Sequence, residues 1–363
     1  MADFTVFRLT FRSPLRIGER GVGLEVTRPY VPADTLFSAL CMAWRDFFSE
    51  QDMLNDILHR YTPQSSPGSA PFFLTSAFPY AGSVRFFPKP LAHLPQVTIA
   101  DDSAKAYKRV RFVSETVFHK LLNAEAVHFD DGSCGNDGQV WLSCSGSTKN
   151  QPPDPLSLQS FWDAESNDYI FWRVNIRPRV TLDRVNSASM IWHIGGVHFR
   201  ENAGLWFAVD FRTTDASFQN KFVSCLRLLG DTGLGSERGG GYGLFQFSHQ
   251  LESLPSAANA NSFLTLTPFC PKDTAELKSL TQGPAAYELI TRRGWIGSPK
   301  GSTLRRKTIW MFSEGSVFSS SASQPPGTLV DVTPEMWKTG NVAADARHDV
   351  FRYGYGFPIG LRR

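Results

Sequence analysis

The sequence predicts an α+β fold, and three observations carry that expectation. Short runs of alternating apolar residues recur along the chain. Two amphipathic helical repeats separate them, and a glycine cluster sits where the second helix hands over to the next strand. A period of two marks half-buried strands, and a period near 3.6 marks helices with one buried face. With 363 residues and 42% apolar content, the chain is long enough for one large domain or two. Charged residues at 20% and aromatic residues at 13% exclude general disorder.

Residues 4–11 alternate, with Phe7, Leu9 and Phe11 on one face and Arg8 and Thr10 on the other, as a half-buried strand requires. Asp34, after Pro32, is the expected N-cap of a helix whose Leu36, Leu40, Ala43 and Phe47 share one face. A short helix is expected near residues 53–61. Strands are expected over 72–78 and 84–87, with a turn at 79–82 between them. A helix over 115–122 follows, then a polar stretch to about residue 155 that reads as an exposed insertion. Residues 169–177 alternate again. Strands over 191–199 and 205–211 flank Glu201-Asn202-Ala203-Gly204, a hairpin signal. Phe218, Phe222, Cys225 and Leu229 mark the second amphipathic helix, which runs into the glycine cluster 233–243 and a strand over 244–249. This βαββαβ order with insertions is the ferredoxin-like or RRM-like arrangement. Residues 252–262 read as a linker, so the expected domains are 1–250 and 251–363. The second carries strand-like pieces at 263–266, 287–291, 308–312 and 350–353.

The net charge is only +3, which argues against a polybasic protein, but the basic residues are lopsided at 26 Arg to 11 Lys. Arginine offers a planar five-donor fork suited to phosphates and to base stacking. Residues 291–312 hold Arg292, Arg293, Lys300, Arg305, Arg306 and Lys307 without an acid, and Trp295 and Trp310 sit among them. Arg173, Arg177, Arg179 and Arg184 form a second cluster. A single charge run is usually a solvated face; several together favour anion-binding grooves, nucleic acid first. Five scattered cysteines form no C-x-x-C, so neither a zinc ribbon nor a disulfide framework is expected. The start has no secretory pattern, and the longest uncharged stretch, 61–84, carries four prolines, so no membrane span is expected and the cytoplasm is the default location.

The glycine cluster has the wrong spacing and order for a dinucleotide fingerprint and lacks the lysine of a P-loop. What remains is a segment where small residues allow close backbone approach, with Arg238 and Tyr242 interleaved. Such a loop suits a phosphate backbone held on main-chain N–H groups, and Gly241-Tyr242-Gly243 echoes the core of an RNA-binding strand. A plain turn closing the helix is the competing reading. For catalysis the sequence offers little. The G-x-S-x-G and H-E-x-x-H patterns are absent, and His193 and His198 are wrongly spaced for a metal pair on one helix face. His59, His119 and His128 have no visible catalytic partner. No cofactor and no metal site are expected.

Three stretches resemble a RAMP (repeat-associated mysterious protein) of CRISPR systems: Asp34-Thr35-Leu36-Phe37-Ser38-Ala39-Leu40, Leu74-Thr75-Ser76-Ala77-Phe78-Pro79-Tyr80, and the glycine loop 233–243. Three more narrow the resemblance to the fourth Csm subunit of type III-A effectors: Arg179-Val180-Thr181-Leu182-Asp183-Arg184, Trp310-Met311-Phe312-Ser313-Glu314-Gly315-Ser316, and Tyr353-Gly354-Tyr355-Gly356-Phe357-Pro358-Ile359. The resemblance implies two ferredoxin-like (RRM-like) domains with an inserted β-hairpin, and a non-catalytic role in antiviral defence. It implies a subunit that holds the 5′ tag of the crRNA and links the large polymerase/HD-domain subunit to a backbone RAMP subunit. Carried onto this sequence, the RNA-binding residues are Arg179, Arg184, Gly235, Arg238, Gly240 and Tyr242, with Asp34 as a structural helix cap near the RNA. Two alternatives stay open: a RAMP endoribonuclease that processes crRNA, and a ferredoxin-like anion-binding protein outside CRISPR.

Overall fold

The computed structural model describes residues 3–18, 23–61, 70–142, 156–185, 188–296, 304–320, 324–338 and 348–363. The first strand, β1 (Asp3–Phe11), leads to helix α1 (Ala33–Phe47). Short strands β2 (Phe72–Leu74), β3 (Phe78–Ala81), β4 (Val84–Pro88) and β5 (Phe112–Ser114) follow, then α2 (Glu115–Leu122). Two long strands, β6 (Trp172–Leu182) and β7 (Ser189–Phe199), precede β8 (Ala203–Phe211), helix α3 (Ala216–Thr232) and β9 (Phe245–Ser253). In the main sheet β9 pairs with β1, β1 with β8, and β8 with β2 and β3, all antiparallel. From β4 and β5 the sheet continues outward to nine strands among the described residues.

Packing explains the order. Phe7 of β1 stacks on Phe207 of β8 with centroids 5.0 Å apart and meets Phe222 of α3 at 5.6 Å. Trp44 of α1 meets Phe218 of α3 at 5.2 Å, so the two helices lie side by side on one face of the sheet. Fully burying each such ring contributes about 1.5–3 kcal/mol. Val6, on the opposite face of β1, is buried as well, so this strand is covered more completely than its alternation predicts.

The last hundred residues form smaller sheets against the same core. They contain β10 (Ser262–Thr265), β11 (Leu289–Arg292), β12 (Ile309–Phe312), β13 (Val317–Phe318), β14 (Gly327–Asp331), β15 (Phe351–Tyr355) and β16 (Pro358–Leu361). β10 pairs with β13 and β16, β11 with β12, and β14 with β15. Tyr353 of β15 is buried with its ring 4.8 Å from that of Phe37, and its hydroxyl accepts a hydrogen bond from the Leu74 amide. Helix α1 is thus covered by α3 on one side and by β15 on another.

Several expectations need correction. Residues 72–78 are not one strand: buried Thr75 and Ser76 interrupt it, and the Ser76 amide donates to the Leu266 carbonyl. The turn is Gly82-Ser83 rather than 79–82, because Tyr80 and Ala81 pair with Arg85 and Val84. Residues 201–204 turn the chain tightly but close no hairpin. β7 stays with β6, held at its end by the Arg200 amide on the Phe171 carbonyl, while β8 enters the main sheet. Phe47 is half exposed instead of facing the core. The expected polar insertion is described only to residue 142, and its part over 143–155 lies outside the described residues.

Gly204 permits the entry of β8, since a Cβ there would stand 2.0 Å from the Leu9 carbonyl oxygen. Gly204→Ala is therefore expected to cost about 1–3 kcal/mol. Gly239→Ala, where nothing lies within 4 Å, should leave the urea midpoint within the range of ordinary surface changes. Equal midpoints for the two variants would contradict this packing.

Candidate nucleic-acid interface

Three segments converge at the foot of the β6–β7 hairpin. The first is the glycine loop. Helix α3 ends at Thr232, and Leu234 is buried with its amide on the Gly243 carbonyl, 2.9 Å away. Gly235 has φ +95°, and a Cβ there would stand 2.4 Å from the Arg16 carbonyl oxygen; a left-handed conformation at such close quarters requires glycine. The second segment is residues 14–18, which the loop grips. The Ser236 amide donates to the Arg16 carbonyl, and the Gly243 amide donates to that of Pro14. The buried Arg16 guanidinium donates to Ser236 Oγ at 2.7 Å and to the Leu24 carbonyl at 3.2 Å. Between these anchors the loop bulges as one 3-10 turn, Arg238–Gly240, with Arg238 and its glycines exposed.

The third segment is the hairpin. Its register places Arg179 opposite Trp192 and Val180 opposite Ile191. With side chains alternating between faces, Arg173, Arg177, Arg179 and Trp192 share one face, while Val174, Ile176, Val180, Leu182 and Ile191 share the other. The apolar five are all exposed. The basic face turns toward the loop: the Arg179 guanidinium lies 3.3 Å from the Cβ position of Gly240. Trp192 Nε1 donates to Thr181 Oγ1 at 3.0 Å, which fixes the indole. Arg173 is engaged by Asp163. Burial, and then the charge of Arg177, push the pKa of His198 on this face down, which favours the neutral ring.

The structure brings together some predicted residues and separates others. Arg179 lies against Gly240, in the same exposed turn as Arg238. Arg184 is exposed beyond the end of β6, away from the loop. Gly235 lies behind the surface, against Arg16. Tyr242 is only 3% exposed, and its ring sits against the Gly196 backbone, so it pins the loop to β7 and does not offer a face to a base. Sequence reading missed Arg16 as the anchor, and it missed Trp192. The alternation of Arg with Val and Ile over 173–182 was the available signal for the two-faced hairpin.

Asp34 is a correction. It is not the N-cap: Pro32 occupies that position, the first amides bond the Pro32 carbonyl, and Ser76 Oγ accepts from the Ala33 amide at 2.9 Å. Asp34 stands one residue inside α1 and is fully buried. Its Oδ2 and Oδ1 accept from Arg292 Nε and Nη2 at 2.9 and 2.7 Å, and Oδ2 also accepts from Arg352 Nη1. Burial alone would push this carboxyl up, but the two guanidiniums overcome it and hold the pKa down at about 2. Among the described residues no group of three metal-ligating side chains comes together, and no helix is long and apolar enough to cross a membrane.

Residues 258–361 match the family described as the CRISPR Csm4 C-terminal domain. The protein named CRISPR system Cms protein Csm4 from Thermococcus onnurineus (strain NA1) is 27% identical over 293 residues, 79% of each chain. That of the same name from Mycobacterium tuberculosis (strain ATCC 25618 / H37Rv) is 26% identical over 316 residues, 86% of each chain. Among solved structures, Csm4-containing assemblies share the fold. A Csm3–Csm4 subcomplex in the type III-A CRISPR-Cas interference complex matches at TM-score 0.64 and 15% identity, over 100% of both chains. A Csm1–Csm4 cassette in complex with cA4 matches at TM-score 0.57 and 18% identity, over 99% of this chain and 98% of that one. The chain is thus similar to CRISPR Csm4 proteins along most of its length, and its fold is similar to that of Csm4 in solved CRISPR subcomplexes.

Removing one partner from a buried ion pair strands the others, so Asp34→Asn is expected to cost about 3–5 kcal/mol at pH 7. The Asp34 carboxyl has a folded pKa of about 2 against 3.8 for the free group, so its contribution is complete above pH 5 and is lost as pH falls through 4 toward 2. Urea unfolding across that window should show the gap between wild type and variant closing; a gap constant from pH 7 to pH 2 would contradict the clamp.

Proposed function

We propose that this chain is a non-catalytic RNA-binding subunit of a type III CRISPR effector complex. In this reading it holds the 5′ tag of the crRNA and joins a Csm1-type large subunit to a Csm3-type backbone subunit. The observation that carries the reading is the convergence of the Arg179 face of the hairpin with the exposed Arg238–Gly240 turn. Guanidiniums beside an exposed glycine turn suit a sugar-phosphate backbone, and Trp192 suits stacking of an unpaired base. The solved Csm4 structures carry Csm1 or Csm3 as their companions, which supports the same kind of neighbours here. The exposed Val174–Leu182 face of the hairpin fits such a neighbour, since monomers seldom leave contiguous apolar strips uncovered.

Two architectural statements belong to the same reading. Residues 1–250 form a ferredoxin-like unit, for which the strand order β9–β1–β8–β3 with both helices on one face is the support. Residues 251–363 form the second, RRM-like unit. A non-catalytic role is supported by Asp34, whose oxygens are both taken by arginines and closed to solvent.

Each lost charge-assisted contact should cost about 1.5–3 kcal/mol, roughly ten- to hundredfold in affinity. Arg179→Ala and Arg238→Ala are therefore expected to weaken binding of a tag-bearing RNA by that factor while leaving the thermal midpoint unchanged. Each should also reduce the slope of log affinity against log salt by about 0.7, the single-strand value per phosphate contact. Wild-type affinity in both variants would place the RNA elsewhere. Sequence-specific cutting of a repeat RNA by the purified chain without metal would replace the scaffold reading with the endoribonuclease one.

A further inference from the structure

A cavity of about 130 Å³ opens between α1 and the segment that leads into β15. Its walls are apolar: Phe37, Met42, Met53, Ile296 and Val350 line it. Arg306 enters from the antiparallel pairing of residues 294–296 with 304–306, where the Arg306 amide donates to the Gly294 carbonyl and Trp295 pairs with Arg305. Trp295 and Arg305 point outward and Ile296 inward, and Arg306 follows Ile296 to the inner side.

Among the described residues the Arg306 guanidinium, on the inner side, has no acidic partner. Arg292 and Arg352 share Asp34. Arg45, at the cavity rim, is bound through two nitrogens to Asp46. Arg306 Nε is fully buried and receives no partner, and among the described residues no hydrogen bond or ion pair engages the rest of the guanidinium. Burial and the nearby charges of Arg352 and Arg292 press its pKa down to about 10, although Asp34 acts in the opposite sense. Unsatisfied buried donors are rare, and an unpaired buried charge is costlier still. Asp349 and His348 also line the cavity, but both are exposed, and His348 leans on the Trp337 ring at 4.7 Å.

We propose that this cavity is a binding pocket for a carboxylate carried on a short apolar body, with Arg306 as its counter-ion. One planar guanidinium matches one carboxylate, which it can bind through two parallel hydrogen bonds. The walls have little to offer a multiply charged phosphate, whereas they shelter a few methylenes. The carboxylate has two possible sources, a free small acid or an acidic side chain of a neighbouring subunit.

The probe is butyrate, compared with acetate and chloride at equal ionic strength on the full-length chain. Butyrate at about ten times its dissociation constant should raise the thermal midpoint by about 2–4 °C more than chloride does, with acetate between them. Saturation transfer from protein to the butyrate methyl protons should be visible in wild type. Arg306→Met should lose both responses while melting no lower than wild type, because it removes an unpaired charge. Equal shifts with all three anions, absent saturation transfer in wild type, or a butyrate response that survives Arg306→Met would overturn the proposal. Repeating the titration on the chain bound to Csm1-type and Csm3-type partners separates the sources. A response that vanishes in the complex assigns the carboxylate to the neighbour, and one that persists assigns it to a free acid.

Discussion

Asp34 sits beneath the first turn of α1 with neither oxygen open to solvent, and guanidiniums from residues 292 and 352 close on it. These contacts join positions 258 and 318 residues apart. Helix α1 carries Leu36, Phe37, Leu40 and Trp44 into the main core, so whatever fixes the start of that helix fixes how the core is filled. Because Arg292 ends β11 and Arg352 belongs to β15, the same carboxylate also sets where the late sheets lie against the early one. Buried ion pairs add little stability against a well-packed apolar alternative, but they are unforgiving about geometry. The clamp is best regarded as a device for registration: Phe37 against Tyr353, and the Ser76 amide on the Leu266 carbonyl, follow from it.

The same arrangement takes Asp34 itself out of proton transfer and metal binding. A carboxylate that shuttles protons or holds a metal must be reachable, and its pKa is usually tuned toward the working pH. Here it is held at about 2 and sealed by arginine. The accessible charge lies elsewhere, in the Arg238–Gly240 turn and on the Arg179 face of the hairpin.

The elements were legible wherever local pattern decides them. Alternation marked β1 and β8, and the 3.6-residue period marked α1 and α3 to within a few residues. Pairing was less legible. Residues 201–204 have the composition of a hairpin turn, yet which strands pair is settled by Gly204 lying against Leu9, a contact between residues almost two hundred positions apart. Asp34 was read as a cap because caps are local, whereas its partners stand 258 and 318 positions away. Tyr242 reads as an RNA-binding residue from the motif around it; only the position of Gly196 reveals that its ring is already occupied. Local chemistry singles out the loop, and tertiary packing decides which of its residues reach the surface.

The hairpin has one more implication, for the life of the chain before assembly. β6 and β7 form a two-stranded ribbon whose Val174, Ile176, Val180, Leu182 and Ile191 are exposed on one face, and neither strand pairs with any other among the described residues. Residues 15 and 24 cover the edge of β7 only over 195–197, and the open edges beyond, beside an apolar strip, are the ingredients of intermolecular strand addition. The arginines between those residues, Arg177 and Arg179, act as charged gatekeepers against it. An RNA strand that neutralised them before a protein neighbour covered the apolar face would remove that protection. Protection against strand addition and the charge of Arg177 and Arg179 are therefore tied together on one ribbon.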